Sequence, residues 1–288
     1  MIIKDKLIVL TGACGGIGKA LANLLHQYQA KLVLVGRDLK KLKELNLEFD
    51  NKHQIICADL SVSHDRNKLI RFCDSLSHID LLINNAGISQ FSTFESNSDD
   101  QIDQLMNINL LSPILLTKAL LPSLNRASKG IILNVGSSFG SIGYPCFTTY
   151  CASKFGLKGF SEALMRELKG TSTKVLYIAP RATDTAINSS LVNQLNKKLG
   201  NATDSTDLVA QVIVKQLLNE TDRVAIGWPE KLFLIVNGLI PSVVDQAISK
   251  QVQLIKRFAE SSNIGSVFKS KNKLLANNDS QSEVSLSH

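Results

Sequence analysis

Short, nearly unbroken apolar runs alternate along this chain with longer stretches in which apolar residues recur at helical spacing. The runs fall at 7–10, 31–35, 54–58, 79–83, 131–135, 174–179 and 223–228. Helical patterns fill the intervals at 19–28, 39–49, 64–76, 99–125, 155–168 and 204–218, with a shorter polar one at 187–199 that reads as a lid. Hairpin signals are nearly absent, so strand, turn and helix follow one another in the order that builds a parallel sheet. The predicted fold class is α/β, a doubly wound parallel sheet with helices on both faces and a C-terminal helical extension. Residues 1–228 form the sheet domain and 229–262 an apolar helical extension; 263–288, polar and without periodicity, form a disordered tail. Pro113, inside the 99–125 pattern, predicts a kink there.

Polar residues gather where the apolar runs end. The first run passes into Thr11-Gly12-Ala13-Cys14-Gly15-Gly16-Ile17-Gly18 and then a helix. Glycines let such a turn approach a pyrophosphate, while the helix offers free N–H groups and a positive dipole end. Any tight turn can need glycine, so Gly12, Gly16 and Gly18 gain meaning from the strand before and the helix after. The second run ends in Gly36-Arg37-Asp38. An acid here would hold a ribose 2′-hydroxyl and an arginine a 2′-phosphate. Asp38 reads as the N-cap of the next helix, which leaves Arg37 and favours NADP(H) over NAD(H). Asp59-Leu60 follows the third run, Asp59 serving either an adenine amino group or a helix cap. Asn84-Asn85-Ala86-Gly87 follows the fourth as a turn. Asn109 is an odd choice within a helix unless it bonds something. All these positions fall on one rim of the sheet, where open α/β sheets bind ligands.

Tyr150 and Lys154 lie four residues apart at the start of a helical pattern, hence one above the other on one face. A free tyrosine titrates near pH ~10, and a close ammonium lowers that value, which suits Tyr150 to act as general acid or base. Ser137, just past the 131–135 run, can hydrogen-bond a substrate oxygen. A tyrosine and lysine at this spacing are commonly inert, so the pair gains weight from the nucleotide-binding features.

Length and composition narrow the alternatives. A chain of 288 residues, 44% hydrophobic and 20% charged, suits one large domain with an appendage and excludes a largely disordered or multi-span membrane protein. The net charge of +7 is scattered, so no nucleic-acid partner is expected. Five cysteines without CxxC spacing fit a reducing cytoplasm. The first ten residues read as a strand rather than a signal peptide. Residues 232–244 carry no charge but fall short of the ~20 apolar residues of a span. They are expected to cover the substrate pocket or a subunit contact; the alternative is peripheral contact of 231–257 with the inner face of a membrane.

Taken together these residues resemble the short-chain dehydrogenase/reductase family, classical type, from about residue 4 to 185. The resemblance implies a Rossmann-type fold and hydride transfer between a nicotinamide cofactor and a carbonyl or secondary alcohol. It also implies roles: Tyr150 passes the proton, Ser137 steadies the oxygen, and Lys154 lowers the tyrosine pKa and holds the nicotinamide ribose. Asn109 resembles the residue that anchors a water leading from the lysine to solvent. The cofactor-binding set it implies comprises Gly12, Cys14, Gly16, Ile17, Gly18, Arg37, Asp59, Leu60, Asn85, Ala86, Gly87, Tyr150, Lys154, Pro180, Thr183 and Thr185, with Thr185 on the nicotinamide amide. Arg181 stands where the family usually has glycine after Pro180, and is positioned to reach a phosphate or an acidic substrate. Cys14 replaces a frequent serine or basic residue, removing one support for a 2′-phosphate. A homo-oligomer acting on a lipophilic small molecule is expected, against the alternative of a nucleotide-bound regulator without turnover.

Overall fold

The computed structural model describes residues 1–228 and 230–261, so the tail expected over 263–288 lies outside the described residues. In chain order the first half runs β1 (Leu7–Thr11), α1 (Gly16–Gln27), β2 (Lys31–Gly36), α2 (Leu39–Leu47), β3 (Gln54–Cys57), α3 (Ser63–Asp74), β4 (Leu81–Asn84), α4 (Asp99–Met106) and α5 (Ser112–Asn125). The second half runs β5 (Gly130–Val135), α6 (Thr148–Glu167), β6 (Thr173–Ala179), α7 (Ser190–Leu199), α8 (Thr206–Asn219), β7 (Arg223–Ala225), α9 (Glu230–Leu239) and α10 (Pro241–Ser249). Residues 252–261 are also helical. The strands form one sheet in the order β3-β2-β1-β4-β5-β6-β7, and every pairing is parallel. The order reverses direction beside β1, which opens a crevice at the carboxyl ends of β1 and β4.

The apolar runs are unbroken because the sheet is covered on both faces, so alternate side chains enter two cores rather than a core and water. Ile8, Leu10, Leu32, Leu34, Ile83 and Leu133 meet Leu21 and Leu25 of α1, Leu42 of α2 and Ile213 of α8 on one face. Val9, Val33, Leu82, Ile132 and Val175 meet Leu69 of α3 and Leu116, Leu120 and Leu124 of α5 on the other. Each fully buried aliphatic side chain of this kind contributes about 1.5–3 kcal/mol. A third core joins Phe91, Phe147, Val192 and Leu195 to Ile255 and Ala259, which fastens the end of the described chain over α7.

Two local departures from expectation have physical causes. The break in the 99–125 pattern is a π-helical turn at Asn107–Leu111, and Pro113 sits harmlessly in the first turn of α5. The irregularity thus precedes the proline and centres on Asn109, whose side chain bonds outside the helix. Asn84 is drawn into β4, where its amide donates to Asn134 Oδ1 at 2.8 Å and Thr117 Oγ1 at 3.2 Å. It is therefore part of the core, and the turn proper begins at Asn85.

Candidate active site

The glycine turn is shaped by contacts that admit no side chain. Gly12 has φ +67°, and a Cβ there would lie 2.8 Å from the Ala86 Cα. A Cβ on Gly18 would lie 2.0 Å from the Gly12 carbonyl oxygen. Thr11 Oγ1 accepts from the N–H groups of Asn85 and Ala86, both at 3.0 Å, and the Asn85 amide donates to Thr11 O. The turns after β1 and β4 are thus one unit. Helix α1, N-capped by Gly15, has no side-chain cap and no acid in its first turn, which leaves its first N–H groups available to the groove. Cys14, Gly16 and Thr185 line that groove. A nicotinamide dinucleotide fits these residues: the glycine cradle leaves backbone exposed for an anion, and the buried Thr185 Oγ1 has no partner among the described residues.

Tyr150 and Lys154 stand in the first turns of α6, and Ser137 follows β5 in extended conformation, its hydroxyl accepting from the Phe139 N–H at 3.1 Å. The Ser137 hydroxyl and the Tyr150 phenol face the same cavity as neighbours. Lys154 is buried, and its ammonium donates to Val135 O at 3.0 Å. Its Nζ lies 5.9 Å from the centroid of the Tyr150 ring. Enclosure pushes the Tyr150 phenol up to about 12, with Ser137 acting the other way. This direction is opposite to that expected from the ammonium, because Lys154 faces the ring and the Val135 carbonyl, and burial prevails. The same burial brings Lys154 down to about 8.

Asn109, fully buried, accepts from the Ile88 N–H at 2.9 Å, and its amide donates to Ile88 O at 2.9 Å and Ser153 Oγ at 3.2 Å. It ties the turn after β4 to α6. Gly87 brings that turn close to the lysine, since a Cβ there would lie 3.3 Å from Asn109 Oδ1 and 3.7 Å from Lys154 Nζ.

Ser137, Tyr150 and Lys154 open onto a cavity of about 430 Å³, lined also by Ile17, Asn85, Gly87, Pro180, Thr183 and Thr185. Its outer wall is apolar: Phe139, Ile142, Tyr144 and Phe147 from the loop before α6, and Phe233, Val244 and Ile248 from the extension. Phe139 and Tyr144 stack at 4.8 Å between ring centroids, and Phe147 meets Tyr150 edge-on at 6.2 Å. Asn237 fixes α9 over this loop by donating to Ser141 O at 2.8 Å. Arg181, expected to reach an anion, has its guanidinium held by the buried Asp204 through Nε and Nη2 at 3.0 and 2.7 Å. Together with the bridge between Thr183 and Asp204, this pair closes the base of the excursion that carries α7.

Arg37 is exposed beyond β2, and Asp38 caps α2 as expected, accepting from the Lys41 N–H at 3.1 Å. Asp59 accepts from the Ser61 N–H and hydroxyl. Those bonds lead in holding its carboxyl below the usual range, and nearby Arg37 adds to them. Leu60 is buried in the core, and its carbonyl accepts from Ser112 and Arg66. Pro180 O accepts from the Ser138 N–H at 2.8 Å, and the Thr183 hydroxyl donates to Arg181 O. Cys146 and Cys151 are buried and free. Sequence reasoning missed Asp204 and Tyr177, neither of which carries a local spacing signal, and it named Thr11 only as part of the glycine turn.

The short chain dehydrogenase family model matches residues 6–196. An uncharacterized oxidoreductase of Staphylococcus epidermidis is 31% identical over 198 residues, 68% of this chain and 86% of that protein. A short chain dehydrogenase from Burkholderia cenocepacia in complex with NADP superposes with TM-score 0.74 at 20% identity, covering 86% of this chain and 99% of its own. One from Burkholderia phymatum in complex with NAD gives TM-score 0.75 at 18% identity, covering 84% and 96%. With the glycine turn, the serine, the tyrosine and the lysine on one crevice, the chain belongs to the short-chain dehydrogenase/reductase family of NAD(P)-dependent oxidoreductases.

Proposed function

We propose that the protein uses NADP(H) to interconvert a carbonyl and a secondary alcohol on a lipophilic small molecule. The observation that carries this reading is that Ser137, Tyr150 and Lys154 together face an apolar-walled cavity beside the nucleotide groove. A bound nicotinamide supplies or accepts the hydride. The chain's own residues do the rest: Ser137 and Tyr150 hydrogen-bond the substrate oxygen, and Tyr150 delivers a proton as negative charge grows there. A phenol held near 12 keeps its proton at neutral pH, which suits reduction. Lys154, buried on the cavity lining, would hold the nicotinamide ribose.

The NADP preference is supported by Asp38, whose carboxylate is taken up by the α2 cap, and by exposed Arg37 beside it. An Arg37→Glu variant should weaken NADPH binding by roughly 1.5–3 kcal/mol, the worth of a charged hydrogen bond, and leave NADH binding little changed. Fluorescence titration with both cofactors, alongside NADPH and NADH oxidation over a panel of aliphatic and aromatic ketones, tests the reading. Tighter NADH binding by the unaltered protein would sink the preference, and no turnover with any carbonyl would sink the activity.

Peripheral membrane contact is a second reading, favoured by one observation. Leu232, Ile235 and Leu239 of α9 recur on a single outward stripe with relative exposures of 46, 60 and 76%, and exposed apolar patches mark binding surfaces. Sedimentation with anionic phospholipid vesicles should carry the protein down, and an Ile235→Ser, Leu239→Ser variant should stay in the supernatant. Equal sedimentation of the two would end the idea.

A further inference from the structure

Tyr177 is a buried phenol that the proposed chemistry does not use. It stands on β6 opposite Asn134 of β5, and its ring runs beneath the loop that carries Ser137. A Cβ on Gly136 would lie 2.1 Å from Tyr177 Oη, and one on Gly140 would lie 2.8 Å from it. The same Gly140 Cβ would lie 2.8 Å from the carbonyl oxygen of Lys154. The hydroxyl therefore sits in a wedge between the 136–140 loop and the start of α6; its presence requires Gly136, while Gly140 is required by the hydroxyl and the Lys154 carbonyl together. Flanking N–H groups of the loop are already engaged: Gly136 donates to Ile178 O at 2.7 Å and Ser138 to Pro180 O at 2.8 Å. The Ser137 N–H between them faces the Tyr177 hydroxyl. That hydroxyl is buried and meets no partner of ordinary hydrogen-bond geometry among the described residues, so a small closing movement onto the Ser137 N–H would satisfy it.

We propose that Tyr177 is a positioning residue for Ser137: its hydroxyl accepts the Ser137 N–H and so fixes where the serine hydroxyl meets Tyr150 and the substrate oxygen. The inference rests on the proposed reduction for its kinetic consequence, but its structural part stands apart from turnover. A serine displaced by a few tenths of an ångström would weaken the influence by which Ser137 opposes the rise of the Tyr150 phenol, and would misdirect a donor aimed at the substrate oxygen. Tyr177 touches neither substrate nor cofactor, since it does not line the cavity.

Tyr177→Phe keeps the ring and removes the oxygen. Amide exchange at Ser137 should then quicken by about 5–10-fold, the equivalent of one ordinary hydrogen bond. The melting temperature should fall by about 2–4 °C. Turnover of the best ketone should drop, with NADPH affinity unchanged and the alkaline limb of the pH profile displaced upward. In a Ser137→Ala background the same change should cost no further turnover, because the tyrosine acts through the serine. Unchanged Ser137 exchange with a raised melting temperature would overturn the proposal, showing a hydroxyl that is merely unsatisfied. Equal loss in both backgrounds would overturn it too. If exchange and melting respond as expected while the unaltered protein reduces no carbonyl, the positioning role stands and the proposed activity fails.

Discussion

Tyr150→Phe is expected to lower kcat by about 10²–10⁴-fold, the usual worth of a positioned general acid, while NADPH binding stays nearly unchanged. The ring would remain edge-on to Phe147 and Phe139, so the cavity keeps its shape and loses only the proposed proton donor. The phenol makes no hydrogen bond of ordinary geometry among the described residues, so the fold should lose no more than about 1 kcal/mol. Steady-state reduction of a ketone and a fluorescence titration of NADPH on the same preparation separate these effects. Retained turnover would mean that another group carries the proton, and no second phenol lines the cavity close to Ser137 except Tyr144, which stacks on Phe139.

The second large effect concerns Lys154. Burial lowers its pKa from 10.5 to about 8, and no acid pairs with it among the described residues, so the charged form penalises the native state at neutral pH. Between pH 8 and about 10.4 the unfolded chain binds more protons than the folded one, so stability rises with pH through that window. The rise amounts to about 3 kcal/mol, at 1.36 kcal/mol for each pKa unit. Tyr150 works in the opposite sense at higher pH: its raised value, about 12, favours the fold below pH ~10 and ceases to do so as pH climbs toward 12. Urea unfolding of the unliganded protein from pH 7 to 10, set against Lys154→Met, isolates the lysine because both chains keep the tyrosine. The unaltered protein should gain on the variant as pH rises, and parallel curves would refute the buried-charge account. Turnover should fall in the variant at every pH.

What could be read from the sequence is what depends on near neighbours. Strands were legible because a sheet covered on both faces demands continuous apolar residues, and the glycine turn because its strand and helix adjoin it. The spacing of Tyr150 and Lys154 was legible because one helical turn is four residues. The capping role of Asp38 followed from its place just before α2. Long-range contacts were not legible. The grip of Asp204 on Arg181 spans 23 positions, and it converts an expected anion-binding cation into part of the loop that supports α7. The Tyr150 shift could not be read either, since its sign depends on how tightly Phe139 and Phe147 enclose the phenol. Pro113 misled because the distortion is imposed by Asn109 turning toward Ile88, a bond to a loop 21 residues away.

The cavity is built from two distant parts of the chain: proton-handling groups come from residues 137–154, while Phe233, Val244 and Ile248 close it from the far end. The half of the apolar wall contributed by the extension is therefore separable from the catalytic stretch, whereas Phe139, Ile142, Tyr144 and Phe147 are not. Exchanging residues 230–261 for the equivalent stretch of another relative should then alter which small molecules the cavity admits while Ser137, Tyr150 and Lys154 are inherited whole.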